Sequence, residues 1–155
     1  MIKAISNRSA AIRALGAGVA LLAFFQVGSV FGAALSWQTD FAAAKAAATQ
    51  QNKYILLDFT GSDWCPYCIQ MDKEVFDKPA FSSFADKVIL VKLDFPRKGG
   101  QSAAEKSQNQ ELAKKYSIEG FPTYILLDAS GKEVRRQVGY LEGGPEAFIS
   151  WAALR

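Results

Sequence analysis

Tyr54-Ile55-Leu56-Leu57-Asp58-Phe59, then Thr60-Gly61-Ser62-Asp63, then Trp64-Cys65-Pro66-Tyr67-Cys68: the reading of this stretch decides the fold. An apolar run broken by one acid suits a central buried strand. A short polar loop follows. Cys65 then opens a helix, and Pro66 sits near the first turn, where its missing N–H costs little. The two cysteines are the only ones in the chain. At a helix mouth, Cys-x-x-Cys puts two sulfurs within disulfide reach. It also aims the helix N-terminus at the first sulfur, which favours its thiolate. The spacing points to thiol–disulfide exchange.

Two bland alternatives compete with that reading. A structural staple closing so short a loop removes little unfolded-chain entropy. A zinc site would need two further ligands, and the chain has no histidine and no third cysteine; carboxylates alone rarely supply them. Redox chemistry is the stronger reading, and it calls for no metal and no cofactor.

Working outward, Trp37 opens a short strand-like piece. A helix follows to Asn52, with Asp40 as N-cap and Phe41, Ala44 and Ala48 as its apolar stripe. Beyond Cys68, Ile69, Val75 and Phe76 are packing positions, and Lys78-Pro79 breaks the helix before a shorter one through Phe81 and Phe84. Val88 to Asp94 reads as a second buried strand. Pro96 to about Ser107 reads as a polar loop, and Asn109 to Tyr116 as a helix. Thr123 to Leu127 is a third strand. Asp128-Ala129-Ser130-Gly131 is a tight turn into a charged edge strand, Lys132 to Val138. Gly143-Gly144-Pro145 starts a final helix. Helix crossovers predict parallel early strands, and the late hairpin adds an antiparallel edge. The expected class is α/β: a central mixed sheet with helices on both faces.

The first residues are of another kind. Lys3, Arg8 and Arg13 precede an uncharged run from Ala14 to Leu35 that ends in the small residues Gly32-Ala33-Ala34. That is the layout of a secretory signal peptide over residues 1–34, cleaved after Ala34 or after Gly32. An uncleaved anchor is the rival, since the run is just long enough to span a bilayer. Three of the 18 basic residues and none of the 15 acidic ones precede Ala34, so the remainder carries 15 of each. The basic balance belongs to the leader and implies no nucleic-acid partner. Residues 35–155 make one ordinary domain, expected to be exported to the periplasm or held at the membrane facing it.

Asp58-Phe59, Trp64-Cys65-Pro66-Tyr67-Cys68, Lys92-Leu93-Asp94, Gly120-Phe121-Pro122-Thr123 and a hairpin with Gly131 together resemble the thioredoxin fold. The resemblance covers roughly residues 37–154. Asp-Phe-Thr-Gly-Ser-Asp-Trp-Cys and Val-Lys-Leu-Asp-Phe-Pro-Arg bring it nearer to exported bacterial thioredoxin-like disulfide reductases of the DsbH and DsbD kind. One departure is the pair between the cysteines. Thioredoxins have Gly-Pro there, whereas Pro66-Tyr67 is the glutaredoxin pair, and it leaves the redox potential open.

The resemblance implies roles. Cys65 is the nucleophile, more exposed and of lowered pKa, and Cys68 resolves the mixed disulfide. Together they form the Cys65–Cys68 disulfide when oxidised. Asp58 is a buried acid that moves a proton near Cys68, against the alternative of a strand-end acid reaching solvent. Pro122 is cis and lies against the disulfide. Phe121 flanks the sulfur or is a plain core aromatic. Trp64 covers the sulfurs, packs on the sheet, or both. Pro66 and Tyr67 line the active site, and Lys92 lies near the buried acid or is merely solvated. The partners implied are proteins with disulfides and a membrane electron donor, for a monomeric chain. An oxidant or isomerase, or a thioredoxin-fold binding module without catalysis, are the competing functions.

Overall fold

The structure, a computed structural model, describes residues 35–154; the leader expected at 1–34 lies outside them, as does Arg155. Helix α1 (Phe41–Gln51) starts where Asp40 accepts a hydrogen bond from the Ala43 N–H at 3.0 Å, and its buried face is Ala44 and Ala48. Such small side chains let the helix lie close on the sheet. Strand β1 (Tyr54–Thr60) is buried from Ile55 to its end. Helix α2 (Pro66–Met71) runs into a π-helical turn, Asp72–Phe76, closed by the Asp77 N–H on the Asp72 carbonyl at 2.8 Å. Helix α3 (Pro79–Ala85) and strand β2 (Val88–Asp94) follow. Helix α4 (Ala103–Lys115), strands β3 (Thr123–Leu127) and β4 (Glu133–Val138), and helix α5 (Gly144–Ala152) complete the order.

The sheet runs β2-β1-β3-β4, so β1 is flanked on both sides. Its alternation divides the core. Leu56 joins Met71, Val75, Phe76, Phe81 and Phe148 on the face covered by α2, α3 and α5. Ile55, Leu57 and Phe59 join Ala44, Ala48 and Leu112 on the face covered by α1 and α4. With a period of two, Asp58 shares the face of Leu56 and therefore points toward α2. Phe76 is the hub there, its ring centroid within 5.6 Å of those of Trp37, Phe81, Tyr124 and Phe148.

Three local expectations are corrected. The strand-like piece at Trp37 is reduced to a single bridge, Gln38 to Val91. Helix α4 begins at Ala103, where a loop to about Ser107 was expected. Ser102 caps it by accepting from the Glu105 N–H at 3.1 Å, the Ser-x-x-Glu start signal. Strand β3, reached through a helix, pairs antiparallel with β1, whereas β1 and β2 are parallel. The cause is how α4 lies. Asn109 donates to the Asp94 carbonyl at 2.9 Å, and Tyr116 meets the Phe59 ring edge-on. Both contacts are at the end of the sheet where β1 and β2 finish. The chain thus re-enters the sheet from the end it left.

Candidate active site

The end of the sheet where β1 and β2 finish carries the cysteines. The loop after β1 is held by the residues that end β2. Asp94 accepts from the Ser62 N–H at 2.9 Å and from its hydroxyl at 2.6 Å. Asp63 in turn accepts the N–H groups of Arg97 and Lys98 at 3.0 and 2.8 Å, and the first of these bonds is the main reason its carboxyl is held below the usual range. Cys65 donates its N–H to the Gly61 carbonyl at 2.9 Å and becomes the N-cap of α2. Its Sγ is the acceptor for the Cys68 N–H at 3.2 Å. A sulfur in that place is the one a helix terminus stabilises as thiolate. Cys65 and Cys68 are joined as a disulfide, with Cα atoms 5.2 Å apart.

Exposure barely separates the two cysteines, at 4% for Cys65 and 2% for Cys68. The expected contrast in accessibility is therefore slight in the oxidised state. What distinguishes them is position: Cys65 caps the helix, and Cys68 lies inside its first turn.

Trp64 forms one wall. Its indole N–H donates to the Phe95 carbonyl at 2.8 Å, and its ring stands edge-on to Phe121, 5.8 Å between centroids. Gly61 makes room for that ring: a Cβ there would meet it at 2.5 Å. Gly61→Ala is accordingly expected to cost about 1–3 kcal/mol through overpacking, read from denaturant melts. A loss below about 0.5 kcal/mol, the ordinary range for a surface change, would show that the ring moves aside freely. The Phe121–Pro122 peptide is cis, and Pro122 is buried. The Pro122 carbonyl accepts the Gly139 N–H at 2.8 Å, tying this loop to the end of β4.

The opposite wall is Tyr67 and Tyr140. Pro66 and Tyr67 are exposed, and the Tyr67 ring lies 6.1 Å from that of Tyr140. The Tyr140 hydroxyl donates a short hydrogen bond to Glu74, which also accepts from Gln70 at 3.2 Å. The first of these bonds is the main reason the Glu74 carboxyl lies below its ordinary value. Gly61, Asp63, Arg97 and Tyr140 were not legible as site residues in the sequence. Asp63, Arg97 and Tyr140 act through contacts with residues far along the chain, and Gly61 through the ring of Trp64 that it makes room for. A usable hint was the positive-φ glycine at Gly139, beside Tyr140 at the strand end.

Asp58 is 1% exposed, and its Oδ1 has no hydrogen-bond partner. Burial pushes its carboxyl up to about 8; Lys92 pulls it down, and Asp72 and Asp94 add to the rise. The strand register sets Lys92 directly beside Asp58 on the same face. Lys92 does not line the aromatic groove. Its Nζ makes an ion pair with Asp72 at 3.0 Å and lies 5.2 Å from the Trp37 ring centroid. Lys92 and Asp72 line a cavity of about 520 Å³ with Leu35, Trp37, Phe76, Asp77 and Ser82. The structure thus groups the cysteines with Trp64, Pro66, Tyr67, Phe121 and Pro122 at the sheet end, and sets Asp58 with Lys92 beneath α2. The arrangement suits a dithiol that cycles with its disulfide, with an acid of near-neutral affinity for protons on the buried side.

Comparison with known proteins agrees with this chemistry. A family model described as a thioredoxin-like domain matches residues 41–153. The disulfide bond reductase DsbH of Chlamydia pneumoniae is 37% identical over 126 residues, which are 81% of this chain and 75% of that protein. The thiol:disulfide interchange protein DsbD 2 of Pseudomonas aeruginosa is 33% identical over 113 residues. Those are 71% of this chain but 18% of that longer protein. A solved structure of a DsbH oxidoreductase superposes with a TM-score of 0.74 at 34% identity, covering 91% of this chain and 96% of that one.

Proposed function

We propose, for a chain that belongs to the thioredoxin-like domain family, that it works as an exported reductase of protein disulfides. That it is a thiol–disulfide oxidoreductase follows from the relatives and the Cys65–Cys68 pair; the direction, the compartment and the residue roles are the proposal. The observation that carries it is Cys65 as N-cap of α2, with the Cys68 N–H on its sulfur.

In the proposed cycle the Cys65 thiolate attacks a substrate disulfide. A Cys65–substrate bond forms, and the other substrate sulfur leaves as a thiolate and takes a proton. Cys68 loses its proton to Asp58, attacks Cys65 Sγ and expels the second substrate thiolate. Two electrons pass from the dithiol to the substrate, and Cys65–Cys68 is left oxidised. An external dithiol must then return the electrons, and a membrane electron donor is the partner we assign. The signal-like residues 1–34 support export. Among the described residues no helix is long and apolar enough to cross a membrane.

The test is turnover. Given a chemical dithiol as electron source, the protein should reduce a model protein disulfide catalytically and leave reduced, unpaired substrate thiols. Net oxidation of a reduced substrate would favour the oxidant reading, which Pro66-Tyr67 keeps in view. No turnover in either direction would leave a binding module.

A further inference from the structure

Arg97 presents a guanidinium at the lip of the site. Its Cζ lies 4.0 Å from the Trp64 ring centroid, and Trp64 directly precedes Cys65. The stack rests on a fixed ring, and its arginine springs from a fixed backbone. The indole is fixed by its bond to Phe95, fits over Gly61 and abuts Phe121. The backbone of Arg97 is fixed by Asp63. A guanidinium lying over an aromatic ring keeps its N–H edges in its own plane, free to form a fork.

Among the described residues the ion pairs are Lys92–Asp72 and Arg136–Glu133, and neither includes Arg97. Asp94, the nearest acid in sequence, already accepts from Ser62 and from the Phe95 N–H. The two oxygens of Asp63 accept the backbone N–H groups of Arg97 and Lys98, and the charge facing it is that of Lys98. The opposite lip carries the other sign. Glu74 is held ionised beside Tyr140, and Glu142 lies in the same electrostatic neighbourhood. The groove over the disulfide thus has the Arg97 guanidinium on the Trp64 side, where Asp63 and Asp94 are already occupied by hydrogen bonds, and the Glu74 carboxylate on the Tyr67–Tyr140 side.

We propose that Arg97 is a specificity residue that binds a carboxylate next to the disulfide of the protein substrate. This deepens the reductase reading and rests on it. The substrate class is a disulfide in an acidic segment, laid so that its Asp or Glu meets the Arg97 fork. Lysine-flanked disulfides are disfavoured in that orientation. A preorganised fork loses less entropy on pairing than a free arginine. The effect is still that of an exposed pair, so the discrimination is modest and salt-sensitive.

The test is a set of peptide disulfides identical except for Glu, Gln or Lys beside one cysteine, placed on either flank in turn. In wild-type protein kcat/KM should favour Glu over Lys by about fivefold at low salt, mostly through KM. The preference should shrink in about 0.5 M salt. In Arg97→Gln the Glu-to-Lys ratio should fall to near one, and Arg97→Lys should retain only part of it. A ratio unchanged in Arg97→Gln, with both peptides slowed alike, would make Arg97 a mere cover for Trp64 and overturn the proposal. Reduction of all three peptides at equal rates by the wild type would overturn it while leaving the reductase reading in place. Failure to reduce any of them would overturn both.

Discussion

Cys65→Ser is expected to lose protein-disulfide reduction down to the uncatalysed background, whereas Cys68→Ser should accumulate as a mixed disulfide with its substrates. The asymmetry follows from the helix start. Only Cys65 Sγ receives an N–H from the first turn, and only its thiolate lies at the positive end of α2. Cys68 has the neighbouring sulfur as its natural target, so its loss stops release rather than attack. Non-reducing electrophoresis with mass spectrometry of the adducts reads both outcomes. Adducts on Cys65→Ser and none on Cys68→Ser would reverse the two roles.

The second large effect is expected at Asp58, and it has two parts of opposite sign. The carboxyl moves from an ordinary value of 3.8 to about 8 on folding, chiefly through burial. Between those values the native state holds a proton that the unfolded chain has lost. Stability therefore falls as pH rises through this window and levels off above about pH 8. Asp58→Asn removes the ionisable group. By linkage it should stabilise the oxidised protein by about 5 kcal/mol at pH 8 and by less than about 1 kcal/mol at pH 4. Turnover should move the other way. With no proton acceptor for Cys68, the rate at pH 7 should fall by about tenfold or more, and the rise in rate toward pH 8 should disappear. The first attack by Cys65 should suffer less, because the helix terminus favours its thiolate. Paired pH–rate profiles and melts read both parts. Identical profiles would remove Asp58 from the mechanism, and a loss of stability would mark it as a structural hydrogen-bonding group.

What was legible in the sequence was what short-range chemistry dictates. The apolar run Tyr54 to Phe59 is strand β1, which extends one residue further to Thr60, the run Val88–Asp94 is β2, and Asp40 caps α1 as its position predicts. Asp58 stood out because a lone acid in such a run has nowhere cheap to go, and it is indeed buried without a partner on Oδ1. The direction of β3 was not legible, because it depends on α4 lying across the strand ends through Asn109 and Tyr116. The π-helical turn at Asp72–Phe76 was also missed. Val75 and Phe76 are buried as their packing positions predict, but a regular helix would bury them too, so the sequence pattern does not distinguish the π-helical turn. The groove walls were the least legible part. Trp64 was visible as a neighbour of Cys65, but Asp63, Arg97 and Tyr140 matter through contacts made over tens of residues, and Gly61 through how the Trp64 ring lies. The loop from Pro96 offered only polarity, which most solvated loops share.

The central claim is that Cys65 and Cys68 form a dithiol poised to give electrons. The most direct measurement is the reduction potential of that pair, by equilibration in redox buffers and thiol trapping at pH 7. A value near that of thioredoxin, about −270 mV, is the predicted result. A value near about −120 mV, the range of a strong oxidant, or no redox transition at all, would contradict it.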